Sequence, residues 1–161
     1  EFIQNNPLAK ERKLHSTWLT WENVVYETGG VTAKGYKDGK EVMTQTIKTT
    51  DAPYKIELMP DKDNIAVGET AIINVRIADK NGITVPTADN QIFFTVEGGQ
   101  FLGCGNGNPG SHESDKIPVR RAFNGLCQLL VKVTDKEGFI KITAQSSGLK
   151  QDICEIKVKE I

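Results

Sequence analysis

The sequence predicts an all-β protein whose larger part is an antiparallel β-sandwich of immunoglobulin-like size. Apolar and polar residues alternate over short runs, as strands with one buried face require. Gly, Asn and Asp turn signals separate these runs at regular spacing, and no stretch carries a helical apolar period. The region 53–161 has about the ~100 residues that such a sandwich needs.

Residues 1–12 are polar without period and read as an extended entry. Residues 17–21, Thr-Trp-Leu-Thr-Trp, read as a short aromatic strand with Leu19 and Trp21 on one face. Residues 31–36 alternate as a half-buried strand does. Lys37-Asp38-Gly39-Lys40 is a hairpin turn, because Asp and Gly both tolerate positive φ, and 41–48 form the return strand. Thr49-Thr50-Asp51-Ala52-Pro53 breaks the pattern and places a domain boundary after residue 52. The region 1–52 offers about three strands, which is too few for two packed sheets. Upstream strands, the second domain or a symmetry mate would have to complete it.

The second region begins with a strand at 54–59. The next, 70–79, turns Ile73, Val75 and Ile77 inward and Asn74 and Arg76 outward. Asn81-Gly82 is a turn. Residues 91–97 place Ile92, Phe94 and Val96 inward, and Gly98-Gly99 ends that strand. A short strand at 100–104 runs into 101–125, read as one long irregular connection. Residues 128–134 point Leu129, Val131 and Val133 inward. After a Glu137-Gly138 turn, 139–145 point Ile140, Ile142 and Ala144 inward, and 152–159 close the domain.

The formal net charge is -1, which predicts no bulk attraction to nucleic acid or anionic lipid. No apolar run approaches the ~20 residues of a membrane helix. The chain starts with Glu1 and shows no basic-then-apolar leader, so it reads as an internal piece of a longer protein or a processed or engineered chain. Cys104, Cys127 and Cys154 lack the spacing and His partners of a zinc site. Their odd count leaves at least one thiol free. Cys154 shares its parity with Ile156 and Val158 and reads as a small buried hydrophobe. A Cys104–Cys127 disulfide is the other open reading.

The 101–125 stretch holds most of the candidate chemistry. Gly105-Asn106-Gly107-Asn108-Pro109-Gly110 matches G-x-G-x-x-G, but a dinucleotide site needs that motif to open a helix. Pro109 and the unperiodic residues after it favour a tight loop with Gly and Asn in left-handed conformations. Asn106, Asn108, His112, Glu113 and Asp115 gather the donors a Ca²⁺ site would use. Their spacing fits neither an EF-hand nor a zinc pattern, so they read as side chains bonded to their own loop. Arg120 and Arg121 read as carboxylate-binding interface residues or as a solvated loop end. No carboxylate pair is marked for glycoside hydrolysis. Neither His15 nor His112 stands in a nucleophile–base–acid pattern, and no Ser lies in G-x-S-x-G. Trp18, Trp21, Tyr26 and Tyr36 read as packing residues ahead of a sugar-stacking platform. The residues thus predict no catalytic group, cofactor or metal.

The run Leu102-Gly103-Cys104-Gly105-Asn106-Gly107-Asn108-Pro109, with Ser111-His112-Glu113 and Arg121-Ala122-Phe123-Asn124-Gly125-Leu126, resembles the C-terminal region of glycoside hydrolase family 2 β-galactosidases. It is similar to the bacterial type with immunoglobulin-like domains after the catalytic barrel. Trp21, Tyr26, Glu27, Gly29 and Gly35-Tyr36-Lys37-Asp38-Gly39 are similar to the end of the preceding immunoglobulin-like domain. Residues 53–60 and 81–90 are similar to the start and first connection of the last one. Cys104 and Cys127 replace small apolar residues of that pattern, and Asn108 replaces a common Asp.

The resemblance implies a partial immunoglobulin-like domain at 1–52 and a complete C-terminal one at 53–161. It implies a parent that hydrolyses terminal β-galactosides with retention, through two glutamates of a (β/α)₈ barrel. Such a barrel takes about 250 residues and has no counterpart here. The implied role of this chain is non-catalytic: packing on the catalytic module of the same polypeptide, bracing its rim, or mediating homo-oligomer contacts, in a periplasmic or secreted enzyme. The alternatives are a carbohydrate-binding module and an adhesin-type bacterial immunoglobulin-like domain, which 85–98 also resemble.

Overall fold

The computed structural model describes residues 25–134 and 138–159. The aromatic strand expected at 17–21 and Glu137 of the expected turn lie outside the described residues. Contacts divide the chain into two units, Glu1–Thr49 and Thr50–Ile161.

The described part of the first unit is a hairpin of β1 (Gly30–Lys37) and β2 (Lys40–Lys48). Asp38 and Gly39 take φ of 51° and 75°. Both are left-handed, so the two-residue turn matches the twist of its strands. The ladder runs antiparallel from Lys37↔Lys40 to Gly30↔Lys48, with a bulge at Gly35/Tyr36. Tyr26 and Tyr36, expected to pack, are instead exposed. The described hairpin has two layers of side chains and no interior in which to bury a ring.

The second unit is an immunoglobulin-like sandwich, and no helix occurs among the described residues. One sheet has the order β3-β5-β9-β7, built from β3 (Lys55–Pro60), β5 (Thr70–Ala78), β9 (Leu126–Val133) and β7 (Gly99–Gly105). The other has the order β4-β11-β10-β6-β8, from β4 (Asn64–Ala66), β11 (Asp152–Lys159), β10 (Gly138–Gln145), β6 (Gln91–Glu97) and β8 (Val119–Arg121). β3-β5-β9-β7 corresponds to the A-B-E-D sheet of the immunoglobulin frame, and β11-β10-β6 to G-F-C.

The core follows from alternation. Ile73, Val75, Ile77, Leu129 and Val131 of one sheet meet Ile92, Ile140, Ile142, Ala144 and Ile156 of the other, all fully buried. Cys154 packs half-buried against them. The chain crosses between layers early. Lys55 bridges Lys150 in parallel at the point where β3 begins its pairing with β5, and β4 pairs with β11 in parallel. Asp152 accepts from Leu58 N–H at 2.8 Å, which ties β11 to β3.

Two short strands depart from the sequence reading. β4 and β8 have 3 residues each, too few for alternation to stand out. β8 and the end of β7 lie inside 101–125, so that stretch is not one irregular connection. The backbone carbonyl of Pro118 and the amides around β6 continue the β8 ladder, with Phe94 N–H donating to Pro118 O at 2.9 Å.

Candidate functional site

The irregular part of the stretch is 106–118, which leaves β7, covers the sandwich edge and returns as β8. Local side chains shape it. Asn106 Oδ1 accepts from Asn108 N–H, Asn108 Oδ1 from Gly110 N–H, Ser111 Oγ from Glu113 N–H, and Ser114 Oγ from Lys116 N–H. Each bond spans two residues, which is how Asx and Ser turns bend a chain without ladder partners. Asn106 Nδ2 also donates to Arg121 O at 2.9 Å, closing the loop across its mouth.

Arg120 lies beneath this loop. It sits opposite Ile92 on the inward parity of β8 and is 2% exposed. Its burial departs from the solvated loop end that the sequence allows for it. Its guanidinium donates to Cys104 O at 2.8 Å and to the Asp115 carboxylate, and pairs with Glu113 Oε2 at 3.6 Å. Ser111 Oγ and Glu113 O lie at 3.4 and 3.5 Å from Nη1. A buried charge needs such partners, because desolvation otherwise outweighs its attraction to any one of them. Asp115 is 71% exposed on its side chain and Glu113 half-buried, so both anions keep water on their far sides.

Backbone contacts hold the loop against β7. Cys104 N–H donates to Asp115 O at 3.0 Å, and Lys116 Nζ to Leu102 O at 3.1 Å. A Cβ at residue 103 would stand 2.9 Å from Asp115 O, so Gly103 makes room for this approach. Arg121, by contrast, is exposed. Its guanidinium donates to Asp89 O at 3.3 Å and its N–H to Glu113 Oε2 at 3.2 Å. His112 is exposed as well.

The structure therefore brings Asn106, Glu113, Asp115, Arg120 and Arg121 into one network. Asn108 shapes the loop beside it, and His112 is exposed. The candidate metal donors are engaged: Asn106 and Asn108 with backbone, Glu113 and Asp115 with Arg120. Among the described residues no group of three or more His, Cys, Asp or Glu is placed to hold a metal ion. The G-x-G-x-x-G run opens no helix; β8 follows it.

Cys104, Cys127 and Cys154 are free thiols. Cys104 Sγ donates to Ile117 O at 3.3 Å. Burial raises the Cys104 thiol, pushes Cys127 up to about 12 and Cys154 up to about 11. Each stays a neutral thiol near pH 7, which suits packing and not nucleophilic attack.

An open groove of about 500 Å³ runs outside β7 and β9, lined by Leu102, Gly103, Gly105, Asp115, Lys116 and Leu130 among others. It holds one carboxylate, Asp115, and that carboxylate is tied to Arg120. Glycoside hydrolysis by paired carboxylates needs two of them across the sugar.

The sequence reading passed over Asp79. It is fully buried and accepts from Asn81 N–H and Ile83 N–H at 2.9 Å and from Asp51 N–H at 3.0 Å. The Ile83 amide first, then the Asp51 amide, hold its carboxyl below the usual aspartate range. The signal was present, since an Asp two residues before Asn-Gly is the residue that closes such a turn.

Fold and loop define an immunoglobulin-like sandwich domain with a long connection locked at its edge by a buried Arg. The chain belongs to the family described as glycoside hydrolase family 2 C-terminal domain 5, whose model matches residues 56–155. A model described as a domain of unknown function matches residues 2–43. The chain is similar to the β-galactosidase BoGH2A of Bacteroides ovatus, at 34% identity over 95% of this chain and 18% of the relative. A β-glucuronidase of Formosa agariphila is 26% identical over 81% of this chain and 14% of its own length. The crystal structure of a β-glycosidase from Bacteroides vulgatus superposes with a TM-score of 0.80 at 34% identity, over 84% of this chain and 18% of that one. The chain thus spans less than a fifth of the relatives it matches.

Proposed function

We propose that this chain is a non-catalytic C-terminal accessory region of a β-galactosidase-like family 2 glycoside hydrolase. Its role is to pack on the catalytic module of the same polypeptide, and the parent enzyme cleaves terminal β-galactosides. Residues 1–52 are then the end of one immunoglobulin-like domain and 53–161 a complete one. One observation carries the reading. The chain aligns over 95% of its length with a β-galactosidase, and the alignment covers only 18% of that relative. The network around Arg120 supports it from the chemical side, because the acids nearest the groove are already neutralised by a buried cation.

The test is a chromogenic assay. The longer polypeptide should release aglycone from a β-galactoside in preference to a β-glucuronide, and the 161-residue chain from neither. Galactoside turnover by the isolated chain would overturn the non-catalytic role. Preference of the longer polypeptide for the glucuronide would overturn the substrate.

A further inference from the structure

The chain has three Asn-Gly pairs, Asn81-Gly82, Asn106-Gly107 and Asn124-Gly125. Such a pair is chemically unstable in water. Glycine has no Cβ to shield its backbone nitrogen, so that nitrogen can attack the side-chain amide carbon of the Asn before it. The attack requires a nitrogen free of other bonds, room for the peptide to turn, and a polarised amide carbonyl. The fold distributes these unequally.

At Asn124-Gly125 the nitrogen is engaged and enclosed. Gly125 N–H donates to Ala88 O at 2.9 Å. Gly125 is buried, and a Cβ on it would stand 2.3 Å from Val85 O, so the peptide has no room to turn. At Asn81-Gly82 both reacting groups are tied. Gly82 N–H donates to Asp79 O at 3.1 Å, and Asn81 Nδ2 to Asp51 Oδ2 at 3.2 Å. Attack there breaks both bonds.

Asn106-Gly107 differs on each count. Gly107 is exposed, and its N–H has no hydrogen-bond partner among the described residues. A Cβ on it would meet nothing within 4 Å, so the peptide is free to turn. Asn106 Oδ1 accepts from Asn108 N–H at 3.0 Å. That donor polarises the carbonyl and is in place for the oxyanion that attack creates. Of the side-chain bonds, only that from Nδ2 to Arg121 O, at 2.9 Å, has to break.

We propose that Asn106 is a site of spontaneous deamidation, and that folding shields Asn81 and Asn124 from the same reaction. Gly107 N bonds to Asn106 Cγ, the Cγ–Nδ2 bond breaks, and Nδ2 leaves as ammonia with the proton that Gly107 N gives up. Water then opens the resulting cyclic imide at either carbonyl, which leaves aspartate or isoaspartate. Nothing is oxidised or reduced. Either product lacks the Nδ2 donor that closes the loop onto Arg121 O. Isoaspartate also lengthens the main chain inside the turn that Asn106 Oδ1 shapes. The inference stands on the bonds of this loop and is independent of the parent enzyme's activity.

The test incubates the folded 161-residue chain at mildly alkaline pH beside a sample held in denaturant. Peptide mass spectrometry follows amide-to-acid conversion at the three pairs, and labelling by an isoaspartate methyltransferase identifies the imide route. In denaturant the three should convert at similar rates. In the folded chain Asn106 should convert roughly tenfold faster than Asn81 or Asn124. Conversion of Asn81 or Asn124 as fast as that of Asn106 in the folded chain would overturn the proposal. So would the absence of isoaspartate at residue 106 once the denatured sample has converted.

Discussion

Arg120 carries a charge where the sequence offers mostly apolar neighbours, and the loop above it supplies the compensation. Two carboxylates, two backbone carbonyls and a hydroxyl converge on one guanidinium. Arg120→Met keeps the stem and removes these bonds. It should lower unfolding free energy by about 2 kcal/mol, near the net worth of charge-assisted bonds, because the freed acids return to water. The check is a shift in denaturant midpoint with unchanged slope. Asp79 gives the pH dependence. Its folded-state carboxyl titrates below the unfolded value, held there first by the Ile83 amide. It therefore contributes stability above the ordinary aspartate range near 3.8, lost as pH falls through the lower folded value. Asp79→Asn should be less stable than the parent at pH 7 and show a flatter acid limb below about pH 4. Equal acid slopes in urea titrations across pH would contradict this assignment. Neither residue was legible in this role. Arg120 sits directly beside Arg121, and only the register of a three-residue strand turns one inward and the other out.

At the level of elements, the strands with regular alternation were legible and the short ones were not. β6 and β11 fall at 91–97 and 152–159, as their periodicity predicts, because each alternates for its full length between core and solvent. β8 has no such length, and its evidence sits in the turn that follows. Asn124 and Gly125 take φ of 53° and 76°, and Phe123 and Leu126 exchange both backbone hydrogen bonds around them. This Asn-Gly hairpin passes the chain from one sheet to the other, and an Asn-Gly pair is itself a strong turn signal. Gly125 is also a packing point, since a Cβ there would stand 2.3 Å from Val85 O. Gly125→Ala should cost about 3 kcal/mol through strain and overlap together. Gly68→Ala, at a φ of 84° with open space around it, should cost only about 1 kcal/mol. Thermal melts of the two variants separate the contributions, and equal costs would show that packing at residue 125 adds nothing.

At the scale of the molecule, the division into a hairpin-bearing first unit and a sandwich fixes what each can do alone. The sandwich has two closed layers and a continuous core. The described hairpin is exposed along nearly all of both strands, which is why its sequence reads clearly as strands but not as a domain. Family membership was legible in the words of the 101–125 stretch, although those residues build an edge lock and not the site their composition first suggests. The central claim is that the chain supports a glycosidase without being one. The most direct measurement sets the 161-residue chain and the longer polypeptide at equal molar concentration against the same chromogenic β-galactoside. The account predicts release by the longer polypeptide and none above the uncatalysed rate by the chain. Release that scales with the concentration of the isolated chain would contradict it.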